Sequence, residues 1–180
     1  MAESSNIIKE RKRMSTYQRT TGVASAYLAS VLAFAYGLVS LYWTLGGTYL
    51  LNTVGGSIDS IAGNGGMLAI ALGASASVAK IIIGLLALAL VRPLGNLFPR
   101  RFLVASAVTV SAVLIIYGGL LVIVGALVLL YIIHPTGNVD WIALRWHVLV
   151  WDMWFLVWGI LLAIAVVFYR RQTKRPLSTN

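Results

Sequence analysis

Residues 67–91 read MLAIALGASASVAKIIIGLLALALV, an apolar run broken once, by Lys80. A helix crosses the hydrocarbon core of a bilayer with about 20 predominantly apolar residues, so this run is long enough to span a membrane. Working outward, three more runs meet the same criterion. Residues 22–44 sit in a stretch with no charge between Arg19 and Asp59. Residues 102–133 form a third run, longer than a bilayer requires. Residues 145–169, with Trp141 as the earliest start, form a fourth that holds Asp152. The expected fold is an all-α integral membrane four-helix bundle over residues 21–170, with basic tails at 1–20 and 171–180. Composition agrees: 59% of residues are hydrophobic and 11% charged, against about 25% charged in soluble domains.

The basic residues set the orientation. Lys9, Arg11, Lys12, Arg13 and Arg19 precede the first run, Arg92, Arg100 and Arg101 lie between the second and third, and Arg170, Arg171, Lys174 and Arg175 follow the fourth. Twelve of the fourteen Lys and Arg residues thus fall on one side. By the positive-inside rule that side, with both termini, is cytoplasmic. It also faces anionic lipid headgroups, which accounts for the net charge of +9 without nucleic acid. A basic segment, an apolar stretch and Ala33-Phe34-Ala35 imitate a signal peptide, but the run continues past the roughly 7–15 residues of an h-region. The absence of cysteine excludes disulfides, thiolate metal sites and cysteine nucleophiles. With only His134 and His147 besides, no metal or cofactor site is expected.

The connections differ. Residues 45–66 hold Gly46, Gly47, Gly55, Gly56, Gly63, Gly65 and Gly66, readable as a flexible loop on the headgroups or as a lid over a cavity. Prolines 93 and 99 make the second connection short and stiff, so the second and third helices should be antiparallel neighbours. His134-Pro135-Thr136-Gly137-Asn138 reads as a tight turn.

Helical periodicity then assigns faces. Ala69, Gly73, Ser77, Lys80 and Gly84 share one face of the second helix, the kind of small-residue row through which membrane helices pack. Tyr36, Ser40 and Trp43 lie on the corresponding stripe of the first helix. In the fourth, His147, Trp151, Trp154 and Trp158 form one stripe and Asp152 opens another about 100° around. Lys80 lies about 18 Å from Arg92, and Asp152 about 27 Å from Arg170, at the rise of an α-helix. Tilt or one water closes the difference, so Lys80 and Asp152 form a candidate intramembrane pair, either functional or helix-locking. Tyr117, Trp43, Trp151, Trp154 and Trp158 are candidate cavity-lining residues, with core packing as the plainer role for the tryptophans. His147 reads as an interface residue.

Leu41-Tyr42-Trp43-Thr44-Leu45-Gly46-Gly47 resembles the signature of a family of small bacterial inner-membrane proteins of unknown function, with an aromatic–Trp–x–x–Gly–Gly motif ending the first of four helices. Arg145, Trp151, Trp154-Phe155-Leu156 and Gly159-Ile160-Leu161-Leu162, then the basic tail, look like that family's last helix. The resemblance implies a bacterial four-helix membrane protein and brings no activity. A looser likeness to the four-helix sterol isomerase and sigma-2 receptor class is architectural, since the paired acidic residues of such an isomerase site are missing.

Three functions are compatible with these features. The first is membrane-embedded binding or transport of a small apolar or amphiphilic molecule. The alternative is a structural or accessory subunit that docks another membrane protein or a second copy. The third is an intramembrane enzyme using Asp152 or Lys80, although neither serine–histidine nor metal-ligand spacing is present.

Overall fold

The computed structural model describes residues 2–55 and 66–173. The helices are α1 (Ala2–Thr44), α2 (Met67–Ala89), α3 (Arg100–Leu129), α4 (Trp141–Trp146) and α5 (Asp152–Thr173). A π-helical turn, His147–Trp151, joins α4 to α5. Four stretches are long and apolar enough to cross a membrane: Arg19–Thr44, Met67–Ala89, Arg100–Leu129 and Trp141–Arg171. No β-strand occurs among the described residues. The protein is an all-α, membrane-spanning four-helix bundle.

Helix α1 continues back through the basic segment read as a tail, because neither proline nor glycine interrupts residues 2–21. Helix α3 stops before Ile133 although the apolar run continues. Tyr131 takes a left-handed conformation (φ 56°), its N–H bonds Val128 O at 3.0 Å, and that of Ile132 bonds Leu127 O at 2.9 Å. This is a Schellman cap, built without the usual glycine. The fourth span starts at Trp141, where the Asp140 carboxylate accepts from the backbone N–H groups of Ile142 and Ala143, both at 3.0 Å, satisfying donors at the helix start.

Helix α1 is the hub. It packs on α2 along one side and on α5 along another, and α5 packs in turn on α3. Ala26, Ala29 and Ala33 of α1 are fully buried, and such small side chains let helix backbones approach in lipid. The small-residue row of α2 meets α1: Gly73 faces Thr44, and Gly84 faces Ala33 and Phe34. Gly118 of α3 lies against the backbone of Asp152 and Leu156, and Gly159 of α5 against Leu114 and Ile115. Helices α2 and α3, joined by a short connection, touch only sparsely. Sequence adjacency is therefore not spatial adjacency here, because each helix carries its small residues toward a different partner.

Candidate functional site

The motif at the end of α1 shapes the site. Gly46 (φ 92°) sends its N–H to Trp43 O at 3.0 Å, and Gly47 sends its own to Tyr42 O at 2.9 Å, again a Schellman cap. A side chain at Gly47 would overlap the Tyr42 ring. Tyr42 and Trp43 then hold the returning chain: Trp43 Nε1 donates to Tyr49 O at 2.9 Å, and the Tyr49 N–H to the Tyr42 hydroxyl at 3.3 Å. A single 3-10 turn follows, Leu51–Thr53, entered through Leu50 with φ 61°. Thr53 Oγ1 donates to Leu50 O at 2.6 Å. Residues 45–55 are thus pinned. Residues 56–65 of the glycine-rich loop, on which the lid reading falls, lie outside the described residues.

The π-helical turn supplies the anchor for this segment. Residues five apart on an ideal α-helix point about 140° away from each other. In this turn the Asp152 N–H bonds His147 O, five residues back, and the two side chains meet: His147 Nδ1 lies 3.2 Å from Asp152 Oδ1. His147 Nε2 lies 2.9 Å from Val54 O. The Trp151 indole donates to Thr53 Oγ1 at 3.1 Å. Both ring nitrogens of His147 face oxygens, one of which, Val54 O, only accepts. Satisfying both takes two protons in the His147–Asp152 unit, as imidazolium with carboxylate or as imidazole with carboxylic acid. Either form is neutral overall, which suits the burial of Asp152 (5% exposed).

The expected Lys80–Asp152 contact does not form. Lys80 Nζ donates to Ser40 Oγ at 2.9 Å and lies 4.5 Å above the centre of the Tyr36 ring. Tyr36 packs its ring against Trp151, Trp154 and Phe155 at 5.8, 5.6 and 5.0 Å. Helix α1 therefore stands between the two side chains, and Asp152 meets His147 instead.

A cavity of about 700 Å³ opens between α1, the 3-10 turn and the first part of α2. Leu45, Leu51, Val54, Ile70 and Leu72 give it apolar walls, and Tyr36, Ser40, Thr44 and Lys80 concentrate its polar groups. Trp43 lines it. The other aromatics singled out from the sequence lie elsewhere. Trp151 is buried between Tyr36 and Trp43, Trp154 donates to Leu32 O on α1 at 3.1 Å, and Trp158 is wholly enclosed in the core. Tyr117 is half-exposed on α3, edge-on to Phe155. Ser40 and Tyr36 were visible as part of the α1 stripe, but Thr53 and the role of His147 carried no signal. A second, shallower cavity of about 530 Å³ lies at the basic end, lined by Arg100, Arg101, Thr109 and Arg170. No cluster of metal-ligating side chains occurs among the described residues.

Residues 33–162 match a family described as a protein of unknown function, DUF3995. The chain belongs to the DUF3995 family. The matched region begins inside α1 and ends inside α5, so the α1 cap, the cavity and the π-helical turn all lie in the part shared with DUF3995. No curated protein and no solved structure matches the chain.

Proposed function

We propose that this DUF3995 protein binds a small apolar or amphiphilic molecule in the cavity between α1 and α2. One observation carries this reading: a cavity of about 700 Å³ whose walls are largely apolar and whose lining holds Lys80 hydrogen-bonded to Ser40. Small-molecule sites have this character and volumes of about 300–1,000 Å³. The end carrying Arg92, Arg100, Arg101 and Arg170 faces the cytoplasm by the positive-inside rule, in a bacterial inner membrane by the resemblance of its motifs. The cavity then opens toward the outer side. At the other end, Arg100, Arg101 and Arg170 receive anionic headgroups.

Ala69 lines the cavity, so Ala69→Trp fills it. Small apolar and amphiphilic molecules are screened by thermal unfolding in detergent. A binder at 100 times its Kd stabilises by about 2.7 kcal/mol, and the shift disappears in Ala69→Trp. A panel that leaves wild type unmoved, or shifts both proteins equally, defeats the proposal. The apolar faces of α2 and α3 turned away from α1 and α5 suit lipid, and are also where a second copy or a partner protein would dock. A stable complex surviving mild detergent would favour the accessory-subunit reading.

A further inference from the structure

Building on the cavity reading, we infer that the molecule taken there is a compact organic anion, an apolar body with a carboxylate head, and that Lys80 with Ser40 receives the head. The argument starts from an imbalance of charge. Lys80 is a cation within the second span, and such residues face the interior of a bundle, where they pair or mark a ligand path. The one acid of the four spans, Asp152, is engaged by His147. No carboxylate among the described residues forms an ion pair with Lys80.

The donor inventory points the same way. An ammonium carries three N–H groups. One goes to Ser40 Oγ, and the Tyr36 face takes the cation from a second side. Ser40 Oγ accepts that bond and keeps its own O–H to give. Thr44 Oγ1 is turned away, donating to Ser40 O at 2.7 Å. Lys80 and Ser40 both line the cavity, so an anion there meets an N–H of the ammonium and a hydroxyl, both charge-assisted donors. A cationic guest is repelled, and a neutral one leaves the ammonium without a counter-charge. Lys80 lies about 20 Å along α2 from Met67, and its stem leans back toward that end. The head therefore sits well below the end of the helix, among apolar walls, which favours a small guest over a membrane phospholipid.

Trp43, the tryptophan of the lining, supplies the readout. The full-length protein in nanodiscs of zwitterionic phospholipid is titrated with ω-bromo-octanoate and with ω-bromo-octanol, whose bromine quenches tryptophan on contact. Trp43→Phe identifies the fraction of quenching that arises in the cavity. The expected result is saturable quenching of Trp43, with the acid binding at least about tenfold tighter than the alcohol, as one charge-assisted pair provides. Lys80→Met abolishes the preference and Lys80→Arg retains it, which separates lost charge from lost fold. Equal affinity for acid and alcohol in wild type, or a preference that survives Lys80→Met, overturns the anion assignment and leaves the cavity reading standing. Failure of both probes to quench Trp43 overturns the two together.

Discussion

Removing His147 tests whether the π-helical turn is the anchor that the geometry makes it. The ring ties the fourth span to the segment after α1, beside the Trp151–Thr53 bond, through Asp152 Oδ1 at 3.2 Å and Val54 O at 2.9 Å. In His147→Leu both bonds are lost and a nearly enclosed carboxyl is left without its partner. An intramolecular hydrogen bond contributes a net of about 0.5–1.5 kcal/mol, so two give roughly 1–3 kcal/mol. The His147 side chain is about one-third exposed, and solvent screening keeps the figure below the loss for a fully buried ion pair. Asp152→Leu costs less, since the imidazole it strands can still reach Val54 O and water. The expected outcome is a cycle of His147→Leu, Asp152→Leu and the double variant with a coupling of about 1 kcal/mol, read by equilibrium unfolding in mixed micelles. Costs that add to within about 0.5 kcal/mol would show that the two side chains do not act on each other, and the neutral two-proton unit would have to be abandoned.

The same cycle for Lys80→Met with Asp152→Leu should be additive within about 0.5 kcal/mol, because the two have different hydrogen-bond partners on opposite sides of Tyr36; a larger coupling would mean that they meet directly. Trp158 is fully enclosed and its Nε1 has no hydrogen-bond partner among the described residues. Trp158→Phe should therefore cost under about 1 kcal/mol, since it removes a donor whose burial is itself penalised by about 1–3 kcal/mol, and thermal unfolding showing the ~3–5 kcal/mol of a truncated core aromatic would refute this. Gly118 and Gly119 are neighbours with opposite expectations. A Cβ at Gly118 would stand 2.6 Å from Leu156 N and 2.9 Å from Asp152 O, backbone atoms that cannot yield, whereas the nearest atom to one at Gly119 is a side-chain carbon at 3.7 Å. Gly118→Ala should lose at least about 1–3 kcal/mol and Gly119→Ala should be neutral or better by up to about 1 kcal/mol; equal effects would contradict the close α3–α5 approach.

The spans were legible because hydropathy over about 20 residues is a summed property that no local detail reverses. The helix ends were less so. Gly46 announces the end of α1, but α3 closes through Tyr131, a residue that rarely takes a left-handed conformation, so the apolar run overstated the helix. The small-residue faces of α1 and α2 were readable as stripes, yet stripes do not say which helix meets which. The pairing of Lys80 with Asp152 rested on comparing heights along the membrane normal. Height ignores lateral order, and α1 occupies the space between α2 and α5. The His147–Asp152 contact was hidden for a different reason: ideal helical geometry separates the two residues, and a π-helical turn leaves no proline or glycine to betray it.

That turn links the two halves of the site although it lines neither wall of the cavity. Leu51 and Val54 form part of the apolar lining, and the chain carrying them is held from behind by Trp151 on Thr53 and by His147 on Val54. Had the fourth span continued as a regular α-helix, His147 would point about 140° from Asp152 and could not bridge it to Val54. The inserted residue of the π turn trades one regular hydrogen-bond register for a buried polar unit and a fixed loop. Local irregularities of this kind concentrate at functional sites, and here the gain is identifiable. The segment after α1 would otherwise rest on a left-handed leucine at position 50, a conformation that costs about 1–2 kcal/mol. With Thr53, Val54 and Tyr49 each tied to a tryptophan or histidine, that strain is offset, and the chain that carries Leu51 and Val54 into the cavity lining is held at three points.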